Sequence, residues 1–137
     1  MFWRKTYIST ARIDHGGADL ANILDESRRN NHRDAVTGVL LFAGSSFYQT
    51  IEGYKDEVEQ TFERIEMDNR HDGVIVLQSE PTRLRAFAAW SMAHRDLPAD
   101  HQISNRIAQL AAGAKPAFRT KVAAQEMDTL ITSFLTV

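Results

Sequence analysis

The side chains that could carry chemistry in this sequence are polar residues placed where apolar ones are expected. In "SSFYQTIEG", Ser45 to Gly53, strand alternation puts Phe47, Gln49 and Ile51 on one face and Tyr48, Thr50 and Glu52 on the other. An amide thus shares a face with two large apolar side chains. A glutamine brings two donor hydrogens and two acceptor lone pairs, and leaving such a group unmet in a protein interior costs about 1–3 kcal/mol. A second set lies on a helical stripe that begins Leu20, Ile23, Leu24 and runs on through Ser27 to Asn31. Tyr7 stands in an early strand-like run with Trp3, Lys5 and Ser9 on its face, and Trp90 and Met92 alternate onto one face of a late one. Arg64 and Asp68 are spaced i, i+4 beside Ile65, and "DNRHDG" then brings Arg70 and His71 to a turn.

Each of these residues has a local explanation. Ser27 can bond a carbonyl one turn back, Asn31 can cap a helix end, and Tyr7, Trp90 and Met92 are ordinary core material. Arg64 and Asp68 can form a solvated ion pair, and Gln49 can bond a loop or an ordered water. Together, however, they converge on the layer between a sheet and its helices. A phenol, two carboxamides, a hydroxyl and an indole suit a flat heteroaromatic ligand with hydrogen-bonding groups along one edge. They make poor hydrolytic machinery. The chain has no Ser-His-Asp arrangement, HExxH, P-loop or GxGxxG, and its histidines, His15, His32, His71, His94 and His101, are scattered singly, which gives a metal centre little support. Glu52 and Glu57 do not make an acid/base pair, because the first is expected on an outer strand face and the second in a polar helix start.

The elements that must position these groups follow from periodicity. Residues 2–9 are rich in aromatic and β-branched types and predict a first strand, and a helix follows over Asp19 to Asn31. "VTGVLLFAGSSFYQTIEG" holds two apolar runs about Ala43-Gly44-Ser45, a β-hairpin. Val58, Phe62 and Ile65 predict a second amphipathic helix over 55–67, and "GVIVLQSE" and "RAFAAWSM" predict two more strands. The fold class is therefore α+β: a ferredoxin-like βαββαβ sheet with an additional strand and two helices on one face. After Pro98 the pattern changes. Ile103, Ile107 and Leu110 make one helical stripe, Gly113 and Pro116 interrupt it, and Phe118, Val122, Leu130, Ile131 and Phe134 predict another. The expected organisation is a domain over 1–98 and a C-terminal helical extension over 99–137, whose stripe must pack on the open sheet face or on a second subunit.

Composition sets the outer bounds. The 137 residues, 43% hydrophobic and 25% charged, suffice for one domain with its own core. A net charge of -2 with both signs interspersed offers no basic field for a phosphate backbone, so a nucleic-acid partner is not expected. The absence of cysteine excludes disulfides, thiolate ligands and thiol photochemistry, and fits a reducing compartment. No run of about 18 apolar residues suggests a membrane span, and the expected location is the cytoplasm.

The residues named above also form a family pattern. In "YIS" (Tyr7, Ser9), "SRRNN" with "VTGVLLF" (Ser27 to Phe42), "FYQTIEG" (Phe47 to Gly53), "MDNRHDGV" (Met67 to Val74) and "RAFAAWSM" (Arg85 to Met92), the chain resembles the BLUF domains, blue-light sensors that bind a flavin. The resemblance spans about residues 3–98 and implies bound FAD, with FMN as the other possibility. It implies that Tyr7 and Gln49 are the photoactive pair, the phenol giving an electron and a proton and the amide lying between it and the flavin. It further implies that Ile23, Ser27, Asn30, Asn31, Phe47, Arg64, Ile65, Asp68 and His71 bind the flavin, with Trp90 and Met92 relaying the signal. With no output domain within the 137 residues, the signal is expected to pass to a partner protein, in a chain that assembles as a homo-oligomer. Two readings from other classes are a flavin-dependent reductase and a cofactor-free ferredoxin-like interaction module.

Overall fold

The structure, a computed structural model, describes the backbone of residues 1–113 and 117–135, and the side chains of these except 117–120 and 134. Pro116 and the side chains of Phe118 and Phe134, assigned above to the C-terminal break and stripe, lie outside the described residues. The element order is β1 (Phe2–Ala11), α1 (Ala18–Asp34), β2 (Thr37–Ala43), β3 (Ser46–Gly53), α2 (Lys55–Glu66), β4 (His71–Thr82), β5 (Ala93–Leu97), α3 (Gln102–Ala112) and α4 (Ala117–Leu135). The strands form one sheet in the order β4-β1-β3-β2-β5, antiparallel except for the β2–β5 pair. This is the predicted ferredoxin-like arrangement with a fifth strand added beside β2. Among the described residues, no helix is long and apolar enough to cross a membrane.

Both faces of the central strands are buried, while the edge strand β4 is largely exposed, and strand alternation divides the core into two layers. On the near face, Tyr7, Leu40, Phe47 and Ile51 pack with Leu20 and Leu24 of α1 and Val58 and Phe62 of α2. On the far face, Ile8, Val39, Leu41 and Tyr48 pack with Ile103 and Ile107 of α3 and Ala124, Met127 and Ile131 of α4. The apolar stripe after Pro98 therefore covers the sheet face that α1 and α2 leave open. Leu130, read as part of that stripe, is exposed instead, because Ile131 and Met127 already fill the contact.

"RAFAAWSM" is not a strand: β5 begins only at Ala93, and the preceding segment is a series of bends. Its backbone donors are engaged elsewhere. The Glu52 carboxylate accepts from the Ala86 N–H at 2.9 Å and the Phe87 N–H at 2.5 Å, and the Trp90 N–H closes a turn onto the Phe87 carbonyl. Strand alternation does not apply there, and Trp90 and Met92 do not share a face. Met92 is buried in the near layer, whereas Trp90 is half-buried against the far one. Glu52 is likewise not on an outer face but fully buried, held also by Arg4 at 3.3 Å and Thr37 at 3.3 Å.

Gly38 of β2 permits a close approach to the β3 backbone and also holds the bend. A Cβ there would meet the Thr50 carbonyl oxygen at 2.1 Å, and its N–H donates to the Trp90 carbonyl at 3.1 Å. Glu52 and Gly38 thus fix both ends of the bend that delivers Met92 to the near layer.

Glu52→Ala should destabilise the fold by about 3 kcal/mol, because it orphans two buried amide donors and the Arg4 partner together. Urea denaturation with an unchanged slope would read this as a lower midpoint. A loss below about 1 kcal/mol would show that the segment is held by other contacts.

Candidate functional site

A cleft of about 180 Å³ opens between α1 and α2 above the sheet. Its floor is Tyr7 of β1, Leu40 of β2 and Phe47 and Gln49 of β3. Ile23, Ser27, Asn30 and Asn31 of α1 form one wall, Thr61, Arg64 and Ile65 of α2 the other, and Glu26, Asp68, Arg70 and His71 complete the lining. The helical stripe that carried Ser27 and Asn31 inward is thus the wall of a cavity.

Tyr7 and Gln49 meet because they stand opposite each other in the β1–β3 register, with Leu40 opposite Gln49 on the other side. The Tyr7 hydroxyl donates to Gln49 Oε1 at 2.5 Å, and both side chains are buried. Burial and, secondarily, the charge of Asp68 push the phenol's pKa up, so it remains a proton donor throughout the physiological range. Gln49 must then turn its oxygen toward Tyr7. Its Nε2 is left with the Met92 sulfur at 3.5 Å, a weak acceptor, as its partner among the described residues. An edge of that amide still seeks a better acceptor.

Two α1 side chains hold the segment that brings Met92 in. Asn31 Nδ2 donates to the Ser91 carbonyl at 2.8 Å and Arg28 Nε to the Met92 carbonyl at 3.2 Å. Asn31 therefore does not cap its helix with its side chain; it ties the cleft wall to the start of β5. His71 lies edge-on to Tyr7, with ring centroids 5.9 Å apart. Its Nε2 is 2.6 Å from the Ile65 carbonyl, which can only accept, so Nε2 carries a proton. In the neutral ring Nδ1 then accepts from the Ser9 hydroxyl, at 2.7 Å.

The predicted Arg64–Asp68 pair does not form. The helix ends at Glu66, so the i, i+4 geometry fails beyond it, and Asp68 turns back instead. Asp68 Oδ1 accepts from both the Arg70 backbone N–H and Nε at 2.9 Å, and Arg70 Nη2 reaches Glu26 at 2.9 Å. Arg64 pairs with Asp34 at 3.3 Å. The Arg70 guanidinium, chiefly through its side-chain bond, holds the Asp68 carboxyl below its ordinary range against the opposing effect of burial.

Every residue that the resemblance implied for flavin binding lines this one cleft, whereas the indole counted among the ligand groups does not: Trp90 packs on the far layer. Sequence reasoning missed Glu26, Leu40, Thr61 and Arg70 as lining. Leu40 could have been found by counting the hairpin register outward from Gly44-Ser45, and Arg70 by the turn that follows Asp68. Glu26 and Thr61 left no signal in a single sequence.

A flat ring system fits the residues present. Ile23, Phe47 and Ile65 offer apolar contact, the amides of Asn30, Asn31 and Gln49 and the Ser27 hydroxyl offer donors and acceptors, and Arg64 and Arg70 with Glu26 and Asp68 make one end charged. Residues 2–93 match the family described as BLUF, sensors of blue-light using FAD. The β subunit of a photoactivated adenylate cyclase from Euglena longa is 35% identical over 88 residues, 64% of this chain and 10% of that protein. The blue light- and temperature-regulated antirepressor BluF of Escherichia coli K12 is 32% identical over 91 residues, 66% of this chain and 23% of its own length. The chain thus spans about a tenth to a quarter of these relatives' length. Among solved structures, the dark state of BlrB, a BLUF protein, matches with a TM-score of 0.74 at 30% identity, covering 96% of each chain. A bacterial light-regulated adenylyl cyclase matches with 0.72 at 28% identity, covering 82% of this chain and 34% of that one.

Arg70→Met should raise the Asp68 pKa toward the ordinary value of about 3.9. With Arg70 present, Asp68 is more acidic folded than unfolded, so its contribution to stability holds above about pH 4 and fades as pH falls through the folded value. A carbon-detected NMR titration of the carboxyl should show the rise, and an unchanged titration would remove Arg70 as the cause.

Proposed function

The chain belongs to the BLUF family, sensors of blue-light using FAD, and from that premise we propose that Tyr7 and Gln49 form its light-responsive hydrogen-bond switch, in the α1–α2 cleft that takes the flavin ring. The single observation that carries this reading is the buried Tyr7–Gln49 hydrogen bond on the cleft floor, with the far edge of the amide meeting, among the described residues, only a thioether. When bound, the flavin, FAD or FMN, supplies absorption of blue light and, in its excited state, an acceptor for one electron.

The chain's own residues set the rest. Ile23, Phe47 and Ile65 supply apolar surface for a ring, and Ser27, Asn30 and Asn31 supply hydrogen bonds to its polar edge. Arg64, Asp68 and His71 serve the outer part of the ligand and the wall beside Tyr7. Tyr7 holds its proton on Oη, directed at Gln49 Oε1. A phenol that loses an electron becomes strongly acidic, so the proton leaves Oη along that bond. The electron and proton both return to Tyr7 within the cycle, and no net oxidation results. Gln49 is free in the interval to rotate or to tautomerise, which exchanges the donor and acceptor ends of its amide. Its Nε2 then leaves the Met92 sulfur, and the start of β5, gripped by Asn31 and Arg28, feels the change.

Rearranging about one hydrogen bond is worth on the order of 1 kcal/mol net, which shifts a balanced equilibrium by roughly fivefold. A signal of that size suits a change in contacts with a partner protein and does not require a large unfolding. The relatives named as cyclase subunits and as an antirepressor support light control of an effector as the general output; the effector of this chain is part of the proposal.

Purified protein with bound flavin should shift its absorption slightly to the red under blue light, without bleaching, and recover in the dark. Tyr7→Phe should keep the flavin and lose the shift, and a normal red-shifted state in that variant would take Tyr7 out of its role. Gln49→Leu should also bind flavin without shifting; if it retains the full shift, the amide is structural only.

A further inference from the structure

The far face of the sheet carries a buried polar row directly behind the Tyr7–Gln49 pair. In the β1–β3 register Thr6 is opposite Thr50, and in the β1–β4 register it is opposite Gln78. Gln78 Nε2 donates to Thr6 Oγ1 at 2.8 Å, the Thr6 and Thr50 hydroxyls are 2.7 Å apart, and Thr50 donates to Asp128 Oδ1 at 2.8 Å. Gln78 Nε2 also reaches Asp128 Oδ2 at 3.0 Å, and the Tyr48 hydroxyl reaches Oδ1 at 2.9 Å. All the hydrogens run toward one carboxylate, carried by α4. Thr6 adjoins Tyr7 in the chain, and Tyr48 and Thr50 flank Gln49.

We propose that Asp128 is a positioning residue for the Tyr7–Gln49 pair: from the opposite face of the sheet it fixes the β1 and β3 backbone that carries both members, so that the docking of α4 and the hydrogen-bond state of the pair are one coupled equilibrium. This inference rests on the photosensor reading given above.

The row has two arrangements, which is what a coupled element requires. With Asp128 ionised, Tyr48 donates to it. With Asp128 protonated, the acid can donate to Tyr48, whose proton then turns to the Ala124 carbonyl, 3.2 Å away. Burial pushes the Asp128 carboxyl up to about 6, against the Thr50 and Tyr48 bonds. The charged groups acting on it are Arg4 from β1 and Glu52 from β3, while Glu80 of β4 is paired with Lys121 of α4. Arg4 favours the ionised form and Glu52 opposes it. A groove beside Arg4, Gln125 and Thr129 borders Asp128, which is itself buried. Gln78 Oε1 is left without a partner among the described residues, so the row is satisfied from its donor side only.

The sign of the pH effect follows. The folded pKa lies above the unfolded value of about 3.9, so the favourable contribution is fully present below about pH 4 and is lost as pH rises through about 6. In the dark, amide protection of α4, corrected for intrinsic exchange, should therefore fall about tenfold between pH 5 and pH 7.5.

The test follows dark recovery of the red-shifted state from pH 5 to pH 7.5 on flavin-loaded protein, with hydrogen exchange of α4 measured in the dark on the same samples. The unsubstituted protein should show a recovery rate that changes on the order of fivefold with a midpoint near 6, and Asp128→Asn should flatten both profiles. Tyr48→Phe and Thr50→Val each remove one hydroxyl while keeping the packing, so each should move the midpoint upward; they decide the matter if Asp128→Asn does not fold. Recovery that is independent of pH in a protein with a normal red shift, an unchanged profile in Asp128→Asn, or an unmoved midpoint in both conservative variants would overturn the role of Asp128 and leave the photosensor reading standing. A loaded protein that does not shift at all would overturn that reading, and this inference with it.

Discussion

The site depends on a single cross-strand contact: a phenol and an amide placed opposite each other in antiparallel register, at the centre of a sheet buried on both sides. The Tyr7 hydroxyl donates to Gln49 Oε1, and this bond sets which end of Gln49 faces it. Everything else about the cleft follows from that orientation. The amide's other end is turned toward Met92, Met92 is delivered by the bend that Glu52 holds, and the bend is fastened to α1 by Asn31 and Arg28.

Burial on both faces makes the arrangement responsive. An exposed face would offer water as an alternative partner for each polar group, and one hydrogen bond more or less would be worth little. Here the near face holds a phenol and an amide, and the far face holds a carboxylate with a glutamine, two threonines and a tyrosine. Two polar sets share the same strands, one residue apart, and neither has solvent to absorb a change. In the proposed switch, a small rearrangement on either side would therefore be felt in the packing of the shared strands.

The sequence disclosed more of the near layer than of the far one. Periodicity located four of the five strands and the helices of the near face, and a glutamine between Phe47 and Ile51 marked the cleft floor without any structural input. What alternation could not reveal was a strand interrupted by side-chain bonding: "RAFAAWSM" has the bulk pattern of a strand, but a carboxylate distant in the chain captures its amides. The same blindness assigned Glu52 to solvent, since its partners Arg4, Ala86 and Phe87 are brought together only by tertiary packing. Arg64 and Asp68 looked paired because helical spacing was extended past the end of the helix. Asp128 was not singled out at all, because a lone aspartate in a C-terminal stripe looks solvated until the helix is seen lying on the sheet.

In the proposed switch the amide of Gln49 is an exchangeable hydrogen-bonding group rather than a fixed piece of core. The direct measurement is a light-minus-dark infrared difference spectrum of flavin-loaded protein in which the glutamine side-chain carbonyl carbons are labelled with carbon-13. An isotope-sensitive amide band that moves on illumination, returns in the dark and is absent when residue 49 is leucine is the predicted result. A difference spectrum without any isotope-sensitive glutamine band, in a protein whose visible absorption still shifts, would contradict the account and place the switch elsewhere in the cleft.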